Sequence, residues 1–541
     1  MKIPSPLLCF AAIALSSCSE RPAVEASYDV IPLPQKVALD SAEKAFKLNP
    51  RTRIVATDSA QQINARLFAE YISSLTGFTP KIVSNTPASD YIHLTTDPAE
   101  SADAYTINVT ADSVVVRGGS ASGTFYGLQT LRKAIPGKAE ADVLYPAGKI
   151  SDVPRFAYRG AHFDTSRHFF SPDSVKIFID MLALHNMNRF HWHLTDDQGW
   201  RIEMKSLPEL AKIGSKRAGT VIGNNTGEYD NIPYGGYYTQ DEVKEIIKYA
   251  SDRHITIIPE IDLPGHMQAA LAAYPELGCT GGPYEVWQRW GVSDDVLCAG
   301  NDSVYVFLDK VLDEITGIFP SEYIHIGGDE CPKVRWKECA RCQAKIKALG
   351  LRDDKHSTAE DKLQSHVMKH AADRLASKGR KAIGWDEILE GGCDTTTVIM
   401  SWRGVQGGIK AAQAGHDAIM TPATYLYFDY KQSHDEGEPG AFYAAPLLLD
   451  KVYGYEPIPE DFTDEQAAHI IGVQGNTWCE YIPNFRHAQY MTLPRFAALS
   501  ELQWSSAPKD FDAFLVRLSQ LRKIYDAEGY NYNAKAFERQ E

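Results

Sequence analysis

After about residue 150, short apolar segments alternate with helical segments along the chain. Stretches such as DEVKEIIKYASDR and SHVMKHAADRLASKG carry apolar residues at helical spacing and lie between most of the apolar segments. The apolar segments have the length of buried strands, and there are eight of them: YRGAHFD, MNRFHWHL, ITIIPEID, YIHIGGDE, KAIGWDE, TVIMSW, DAIMTP and HIIGVQGNTW. Eight strands that alternate with helices predict an α/β fold, a (β/α)8 TIM barrel over residues 151–541. An open doubly wound sheet is the alternative, but no GxGxxG motif follows an early strand.

The first part of the chain has a different pattern. Runs such as YTINV and SVVVRGG alternate between apolar and polar residues, as half-buried strands do, and SGTFYGLQTLRKAI has helical spacing. We therefore expect a small α+β domain, a compact unit of strands and helices, over residues 24–150. The proline-containing segment ISDVPRFAYRG is expected to link this domain to the barrel.

The amino terminus has the pattern of an export signal. One lysine is followed by an apolar segment that is too short to cross a bilayer. The segment ends in LSSC, Leu15 to Cys18, which resembles the lipobox of bacterial lipoproteins. We expect residues 1–18 to be a lipoprotein signal peptide and lipobox, with an exported chain anchored to a membrane by a lipid on Cys18 and facing the periplasm or the cell surface. A plain secretory signal is the alternative.

Composition narrows the class of partner. The chain is 44% hydrophobic and 23% charged, which is typical of a globular protein, and its formal net charge is -15. An acidic chain without clustered lysine and arginine is a poor match for phosphate backbones, so we expect no nucleic acid partner.

The cysteines suggest disulfides rather than a metal. If Cys9 is removed and Cys18 is lipidated, seven of the nine cysteines remain, and this odd number leaves at least one unpaired. In an oxidising compartment, Cys279 and Cys298 are a possible disulfide across a loop, and the CARC pair, Cys339 and Cys342, is a second. A zinc site at CARC lacks a second CxxC or a nearby histidine pair, so we expect no structural metal.

Acidic and aromatic residues collect where the predicted strands end. The active site of a TIM barrel lies at the carboxyl ends of its strands. Residues in those positions are Asp196, Asp197, Glu260, Asp262, His266, Asp329, Glu330, Trp385, Trp402, Tyr425, Tyr427, Asp429 and Trp478. An indole offers an apolar face to a sugar ring while carboxylates bond its hydroxyls. The set therefore indicates a sugar site, and the alternative is that the indoles belong to the barrel core.

Two neighbouring acids, Asp329 and Glu330, end the fourth strand. Adjacent residues of a regular strand point to opposite faces, so the two glycines before them must end the strand if both acids face one pocket. Hydrolysis of a glycoside usually needs carboxylates on both sides of the sugar. Neighbouring acids are poorly placed for that, so either a distant carboxylate attacks or the substrate supplies its own nucleophile.

The HWH segment in the second strand allows a different interpretation. His191 and His193 resemble the HxH of metal-dependent barrel hydrolases. Later strand ends carry mainly carboxylates and indoles instead of the further histidine and aspartate ligands that such sites require. We therefore expect both histidines to be packed, hydrogen-bonded strand residues, and no metal.

Several motifs together resemble the β-N-acetylhexosaminidases of glycoside hydrolase family 20. HIGGDE resembles the signature of that family, and the further similar segments are GTFYGLQTLRKAI, YRGAHFDTSRHF, HWHLTDDQGWRIE, IPEIDLPGH, GWDEIL, YLYFDY and GVQGNTWCE. The resemblance implies an exo-acting enzyme that removes terminal non-reducing β-linked GlcNAc or GalNAc from N-acetylated glycans, without a cofactor. A non-hydrolytic sugar-binding lipoprotein is the alternative function.

The resemblance also implies a retaining, substrate-assisted mechanism. The carbonyl oxygen of the 2-acetamido group attacks the anomeric carbon, so that an oxazolinium intermediate forms. Glu330 would be the general acid and later the base, and Asp329 would hold the acetamido nitrogen. We expect the ionised Asp329 to raise the pKa of Glu330 by repulsion between like charges.

Further roles follow from the resemblance residue by residue. Arg159 would bind the 3- and 4-hydroxyls, with a domain-interface salt bridge as its alternative role. An Asp–His pair, Asp196 or Asp197 with His266, would tune the acid. The remaining implied sugar contacts are Trp385, Trp402 and Trp478 as walls, Tyr427 (or Tyr425) on the acetamido carbonyl, and Asp429 and Glu480 on the 4- and 6-hydroxyls.

Overall fold

The structure is a computed structural model that describes residues 21–537. It contains a small N-terminal domain of strands and helices followed by a closed parallel barrel, so the predicted fold class is confirmed. The predicted lipidation site, Cys18, lies outside the described residues. Within residues 21–537, no helix combines the length and the apolar character that a bilayer crossing requires.

The N-terminal domain is built on a mixed sheet. In the described chain its seven strands are, in sheet order, Lys36–Leu39, Gly148–Asp152, Tyr105–Val109, Ser113–Gly118, Tyr91–Thr96, Arg53–Val55 and Lys81–Val83. A small second sheet contains Ala23–Glu25, Asp142–Tyr145 and Phe46–Leu48. Helices Ser59–Thr76 and Ala121–Ala134 pack against each other. Their starts are fixed by the side chains of Asp58 and Ser120, which accept hydrogen bonds from free backbone N–H groups.

Within the described residues, the second domain is a closed barrel of eight parallel strands, each paired with the next in sequence. All of the predicted apolar runs form these strands, which are Tyr158–Asp164, Arg189–His193, Thr256–Leu263, Tyr323–Gly327, Lys381–Trp385, Val398–Ser401, Ala418–Met420 and Ile470–Gly475. Nearly every strand residue is buried, because one face lines the barrel interior and the other is covered by helices. That burial on both faces explains why the strands appear in the sequence as continuous apolar runs.

Helices surround the barrel and close its ends. The longer ones are Pro172–Leu184, Gln240–Ser251, Asp302–Ile318, Ala340–Leu349, Ala359–Ser377, Gln406–Gln413, Phe485–Thr492, Arg495–Trp504 and Phe511–Glu528. Short helices are Leu210–Gly214, Gln268–Ala273, Pro275–Leu277, Val334–Glu338, Asp386–Leu389, Ala423–Leu426, Leu449–Gly454, Asp464–Ala468 and Ala534–Phe537. Two short hairpins pair Thr195–Asp196 with Gly199–Trp200 and Lys216–Arg217 with Tyr234–Gly235.

The two domains are joined by buried polar contacts. The carboxylate of Asp152, at the end of the N-terminal sheet, accepts hydrogen bonds from Tyr105 Oη and from Trp504 Nε1 of a barrel helix, both at 2.8 Å. Lys133 Nζ donates to Leu184 O and Asn186 Oδ1 across the same interface. The bonds from Trp504 and Lys133 cross the interface, so separating the domains would break them.

The predicted disulfide between Cys279 and Cys298 is absent from the described residues, where all seven cysteines are free thiols. The sulfurs of Cys279, Cys298, Cys339 and Cys342 instead lie within 4.8 Å of one another. Spacing along the chain suggested separate pairs, and the fold brings both pairs to one point. We call these four residues the cysteine cluster.

Candidate active site

A cavity of about 310 Å³ opens at the carboxyl ends of the barrel strands. This is the end at which the sequence placed the acids and indoles. The cavity is lined by Arg167, Asn225, Trp290, Gly291, Val292, Asp329, Glu330, Trp385, Trp402, Tyr427, Tyr430, Phe442, Tyr443, Trp478, Glu480 and Tyr481. Its volume is at the lower end of the range for small-ligand sites, and its walls combine aromatic rings with a few charged groups. It can hold a single sugar ring.

The end of the fourth strand turns sharply so that both acids reach this cavity. Gly327, Gly328 and Glu330 have φ angles of +64°, +100° and +43°, which end the strand. A Cβ on Gly327 would lie 1.7 Å from Asp262 Oδ1, and the backbone N–H of Gly328 donates to that same oxygen. A register irregularity between the third and fourth strands accompanies this close approach. The two glycines therefore break the strand, as the sequence predicted.

His266 lies between the two acids and a deeper aspartate. Its Nε2 is 3.6 Å from Glu330 Oε2 and 3.8 Å from Asp329 Oδ2, so both carboxylates lie on the same side of the cavity. Its Nδ1 donates to Asp196 Oδ1 at 3.2 Å and lies 3.5 Å from Asp197 Oδ2. The shorter contact identifies Asp196 as the hydrogen-bond partner. Asp197 accepts from backbone N–H groups instead.

The order of the pKa values of the two acids is the reverse of the prediction. Burial, opposed by His266 and assisted by Glu260 and Glu330, raises the pKa of Asp329 to about 6. The interaction with His266, opposed by burial, lowers the pKa of Glu330. His266 has this effect because Asp196, acting against burial, raises the pKa of the imidazole well above its usual value and keeps it charged. The sequence could not show that a histidine cation would face Glu330.

A buried network beneath the cavity surrounds Glu260. This carboxylate accepts hydrogen bonds from His193 Nδ1 and from Trp385 Nε1, and it lies 3.0 Å from His191 Nε2 and 2.9 Å from His325 Nδ1. The prediction that His191 and His193 are packed, hydrogen-bonded strand residues is confirmed. The network fixes the orientation of the Trp385 indole at the cavity floor.

Aromatic rings form the walls. The rings of Trp402 and Tyr427 stack at 6.1 Å with an angle of 15°, and Trp385 and Trp478 are 5.9 Å apart. Tyr427 lines the cavity, whereas Tyr425 stacks on Tyr455 at 4.6 Å outside the lining set. Of the two competing tyrosines, Tyr427 is therefore the one placed to contact a ligand.

Arg159 does not lie at the site, and its predicted sugar-binding position is wrong. It is the second residue of the first strand, at the end opposite the cavity, and is fully buried. Its guanidinium donates to Asp103 of the N-terminal domain at 2.9 Å and to the backbone oxygens of Phe156 and Asn186. The alternative, a salt bridge at the domain interface, is the observed arrangement.

Arg167 occupies the position that Arg159 was expected to fill. It follows the first strand, which ends at Asp164, and lines the cavity. Its guanidinium lies 2.9 Å from Asp196 Oδ2, 4.0 Å from Glu480 Oε1 and 4.9 Å above the Trp478 ring. The signal was present in the sequence, because a residue just past a strand end lies at the active face and one at a strand start does not.

Glu480 lines the cavity and Asp429 lies beside it. Tyr443 Oη donates to Asp429 Oδ2 at 3.4 Å, and within the described chain Asp429 Oδ1 has no hydrogen-bond partner. Burial and the charge of Glu480 raise the pKa of Asp429 well above its usual range. This carboxyl group, at the edge of the cavity, is able to hydrogen-bond a ligand hydroxyl.

Several other residues in or beside the cavity were not singled out from the sequence. Trp290, Phe442 and Tyr443 come from long loops, in which no regular period marks a lining residue. Glu387 accepts a hydrogen bond from Trp402 Nε1, and burial together with Asp329 and Asp386 raises the pKa of Glu387 to about 8. Glu387 follows the fifth strand in the segment GWDE, and this position was the sequence signal that could have placed it near the cavity.

Comparisons with protein families agree with the geometry. The family description "Glycosyl hydrolase family 20, catalytic domain" matches residues 156–507, and "Glycosyl hydrolase family 20, domain 2" matches residues 27–153. A beta-hexosaminidase from Porphyromonas gingivalis is 39% identical over 96% of this chain and 67% of its own length. One from Akkermansia muciniphila is 34% identical over 81% of this chain and 88% of its own length.

Solved structures show the same architecture. An exo beta-N-acetylglucosaminidase from Vibrio harveyi, in complex with N-acetylglucosamine, has a TM-score of 0.83 and 33% identity, covering 95% of this chain and 80% of its own. A Streptomyces plicatus N-acetyl-beta-hexosaminidase has a TM-score of 0.79 and 29% identity, covering 94% and 96%. With its two domains matched in order and its acids at the barrel mouth, the chain belongs to glycosyl hydrolase family 20.

Proposed function

We propose that this chain is an exo-acting β-N-acetylhexosaminidase that removes terminal non-reducing β-linked GlcNAc or GalNAc from glycans. One observation carries the proposal: Asp329 and Glu330 lie on the same side of an aromatic cavity of about 310 Å³. Two carboxylates on one side cannot act as the acid and the opposing nucleophile of a two-carboxylate mechanism. A sugar that carries its own nucleophile fits this arrangement.

The reaction proceeds in two steps at the anomeric carbon. In the first, the acetamido carbonyl oxygen bonds to that carbon while Glu330 gives its proton to the departing glycosidic oxygen. Asp329 accepts a hydrogen bond from the acetamido N–H and stabilises the positive charge that develops on the oxazolinium ring. In the second, Glu330 takes a proton from water, whose oxygen opens the ring at the anomeric carbon. Two displacements restore the original configuration.

Substrate binding places the proton on the correct acid. In the free protein the proton shared by the pair resides mainly on Asp329, whose pKa is the higher of the two. The Glu330 side chain is 44% exposed, so a bound sugar removes it from water and raises its pKa. The acetamido N–H at Asp329 favours the ionised carboxylate there. Together these changes move the proton to Glu330.

Hydrolysis of chromogenic glycosides tests the function. We expect turnover of a β-N-acetylglucosaminide and a loss of at least about 100-fold with the matched β-glucoside, which lacks the internal nucleophile. Glu330→Gln should lose about 100- to 10,000-fold in kcat on unactivated substrates while still binding them. Tight binding without turnover by the unaltered chain would support the sugar-binding alternative, and good hydrolysis of the plain β-glucoside would contradict the substrate-assisted mechanism.

We also propose that the chain is exported and lipid-anchored through Cys18. The basis is the LSSC segment after a short apolar run, which lies outside the described residues. Labelling of producing cells with a tagged fatty acid should mark the unaltered chain and Cys9→Ser, since Cys9 is removed with the leader. Cys18→Ser should lose the label and leave the membrane fraction. An unlabelled, unanchored native chain would contradict the proposal.

A further inference from the structure

The cysteine cluster lies outside the cavity and takes no part in the mechanism proposed above. Three of its sulfur–sulfur distances are nearly equal: Cys298 Sγ is 3.6 Å from Cys342 Sγ and 3.7 Å from Cys339 Sγ, and Cys279 Sγ is 3.9 Å from Cys342 Sγ. All four ligand atoms lie within 4.8 Å of one another. All four are free thiols, and none of these three distances is that of a disulfide.

We propose that Cys279, Cys298, Cys339 and Cys342 bind one zinc ion as a tetrahedral tetrathiolate, and that this ion holds the loop after the third strand to the start of the helix Ala340–Leu349 after the fourth strand.

The sulfur spacing fits one central ion better than two disulfides. A zinc–sulfur bond of about 2.3 Å gives tetrahedral edges of about 3.8 Å, which the observed distances match. A disulfide brings two sulfurs to about 2.05 Å and leaves the other two unrelated to that bond. A cluster of several irons spreads its cysteine sulfurs more widely than a single ion does, so this spacing fits a mononuclear site.

The surroundings suit a closed structural site. Cys298 and Cys342 are fully buried, and Cys339 is 9% exposed. Four thiolate ligands leave no open position for substrate or water, as in structural zinc sites. Binding releases the four thiol protons to solvent and gives the centre a charge of −2, since four thiolates surround one divalent ion.

Neighbouring groups support the thiolates. The backbone N–H of Gly300 hydrogen-bonds to the Cys342 sulfur. A Cβ on Gly300 would lie 2.2 Å from the backbone carbon of Arg341, so only glycine allows this approach. The Arg341 guanidinium hydrogen-bonds to the Cys339 sulfur and to Gly278 O. Donors of this kind orient metal ligands and offset their negative charge.

The cluster joins two segments that build the cavity. Cys279 and Cys298 come from the loop after the third strand, which also carries the cavity residue Trp290. The other two cysteines follow the fourth strand, soon after Glu330. A zinc ion at this point would fix the Trp290 wall relative to the general acid.

Metal analysis of the purified full-length chain tests the proposal directly. We expect about one zinc per chain and, under non-reducing conditions, a denatured mass without the loss of hydrogens that disulfides cause. Cobalt substitution should give the visible absorption of a tetrathiolate centre. A metal-free chain in which these cysteines form two disulfides would overturn the proposal, and iron at unit stoichiometry would overturn the zinc assignment.

Variants separate this site from general effects of cysteine replacement. Cys298→Ser and Cys342→Ser should bind less than a tenth as much zinc, whereas Cys393→Ser, which changes a half-buried cysteine outside the cluster, should retain it. Chelation of the unaltered holoprotein should lower its Tm. Unchanged zinc content in both cluster variants would contradict the assignment even if their folding is impaired.

A kinetic readout links the ion to the cavity wall. Mild zinc removal should raise KM for a glycoside several-fold more than it lowers kcat, since the Trp290 loop contacts the substrate and not the reacting proton. This kinetic part depends on the proposed function, whereas the metal content does not. A chain that holds zinc and lacks glycosidase activity would thus refute the function alone.

Discussion

Among single residues, one histidine cation lies beside two neighbouring carboxylates whose pKa values differ. His266 is held charged by Asp196 and faces Glu330 and Asp329 at 3.6 and 3.8 Å. Asp329 is the more deeply buried of the two, so burial raises its pKa while Glu330 remains low. Adjacent acids in the sequence thus have separate electrostatic environments.

The pKa values of Asp329 and Glu330 predict how activity depends on pH. The competent free protein holds one proton on the Asp329–Glu330 pair, and the higher pKa, about 6, belongs to Asp329. Above that pH the proton is lost, so kcat/KM should fall roughly tenfold per pH unit. The fall of kcat should begin at a higher pH than the fall of kcat/KM, because a bound sugar raises the pKa of Glu330. Initial rates in buffers of constant ionic strength measure both pH dependences. A kcat/KM that is constant from pH 5 to 8 would contradict the pKa assigned to Asp329.

Replacement of Arg167 should weaken substrate binding. Arg167→Met removes a charged donor from the cavity, where such hydrogen bonds are worth about 1.5–3 kcal/mol. We expect kcat/KM to fall by about 10- to 150-fold, mainly through KM. The Tm should fall as well, because Arg167 also pairs with the buried carboxylates of Asp164 and Asp196. Steady-state kinetics and thermal unfolding measure the two effects. An unchanged KM would show that this guanidinium does not contact the sugar.

At the scale of elements, the end of the fourth strand depends on glycine. Gly327 has a φ of +64° and its missing Cβ makes room for Asp262 Oδ1. The same turn places Asp329 and Glu330 together at the cavity. A strand that continued regularly would send one of these acids into the barrel wall.

Replacement of this glycine should therefore be costly. Gly327→Ala should destabilise the fold by more than about 3 kcal/mol, since backbone strain and overlap with Asp262 add together. Gly77→Ala is the matched control: its φ is +75° but nothing lies within 4 Å of the new Cβ, so about 1 kcal/mol is expected. Urea unfolding of both variants gives the comparison, and equal losses would show that φ alone sets the cost.

At the scale of the whole molecule, the N-terminal domain is part of the support of the barrel. Arg159 links Asp103 of that domain to the backbone oxygens of Phe156 and Asn186, which precede the first and second strands. Asp152 receives hydrogen bonds from both domains. The cavity lies at the opposite end, so this interface affects stability and not the chemistry.

Arg159→Met tests this separation. The substitution leaves buried acceptors without a donor, and we expect a loss of about 2–4 kcal/mol in unfolding free energy with KM unchanged. Arg155→Met, which breaks a partly exposed pair with Glu456, should cost at most about 1 kcal/mol. Denaturant unfolding and KM are the measurements. A raised KM in Arg159→Met at unchanged stability would restore its sugar-binding role.

Much of the molecule was determined by local sequence. Strands buried on both faces must be continuously apolar, and the helices between them keep their own period, so the eight barrel strands could be read directly. The Gly327–Gly328 pair indicated the strand break, and the adjacent acids indicated that a second catalytic carboxylate was lacking. These features depend on neighbours in the chain.

Only the tertiary structure decided which side chains face each other. It placed Arg167 in the cavity and Arg159 at the domain interface, because distance along a strand becomes a choice between opposite ends of the barrel. It also reversed the expected pKa order of the two acids through His266, and it brought together four cysteines from a loop and a helix that are remote in the sequence. The pKa values of the acids and the cysteine cluster depend on distances between remote segments, and no local pattern in the sequence contains those distances.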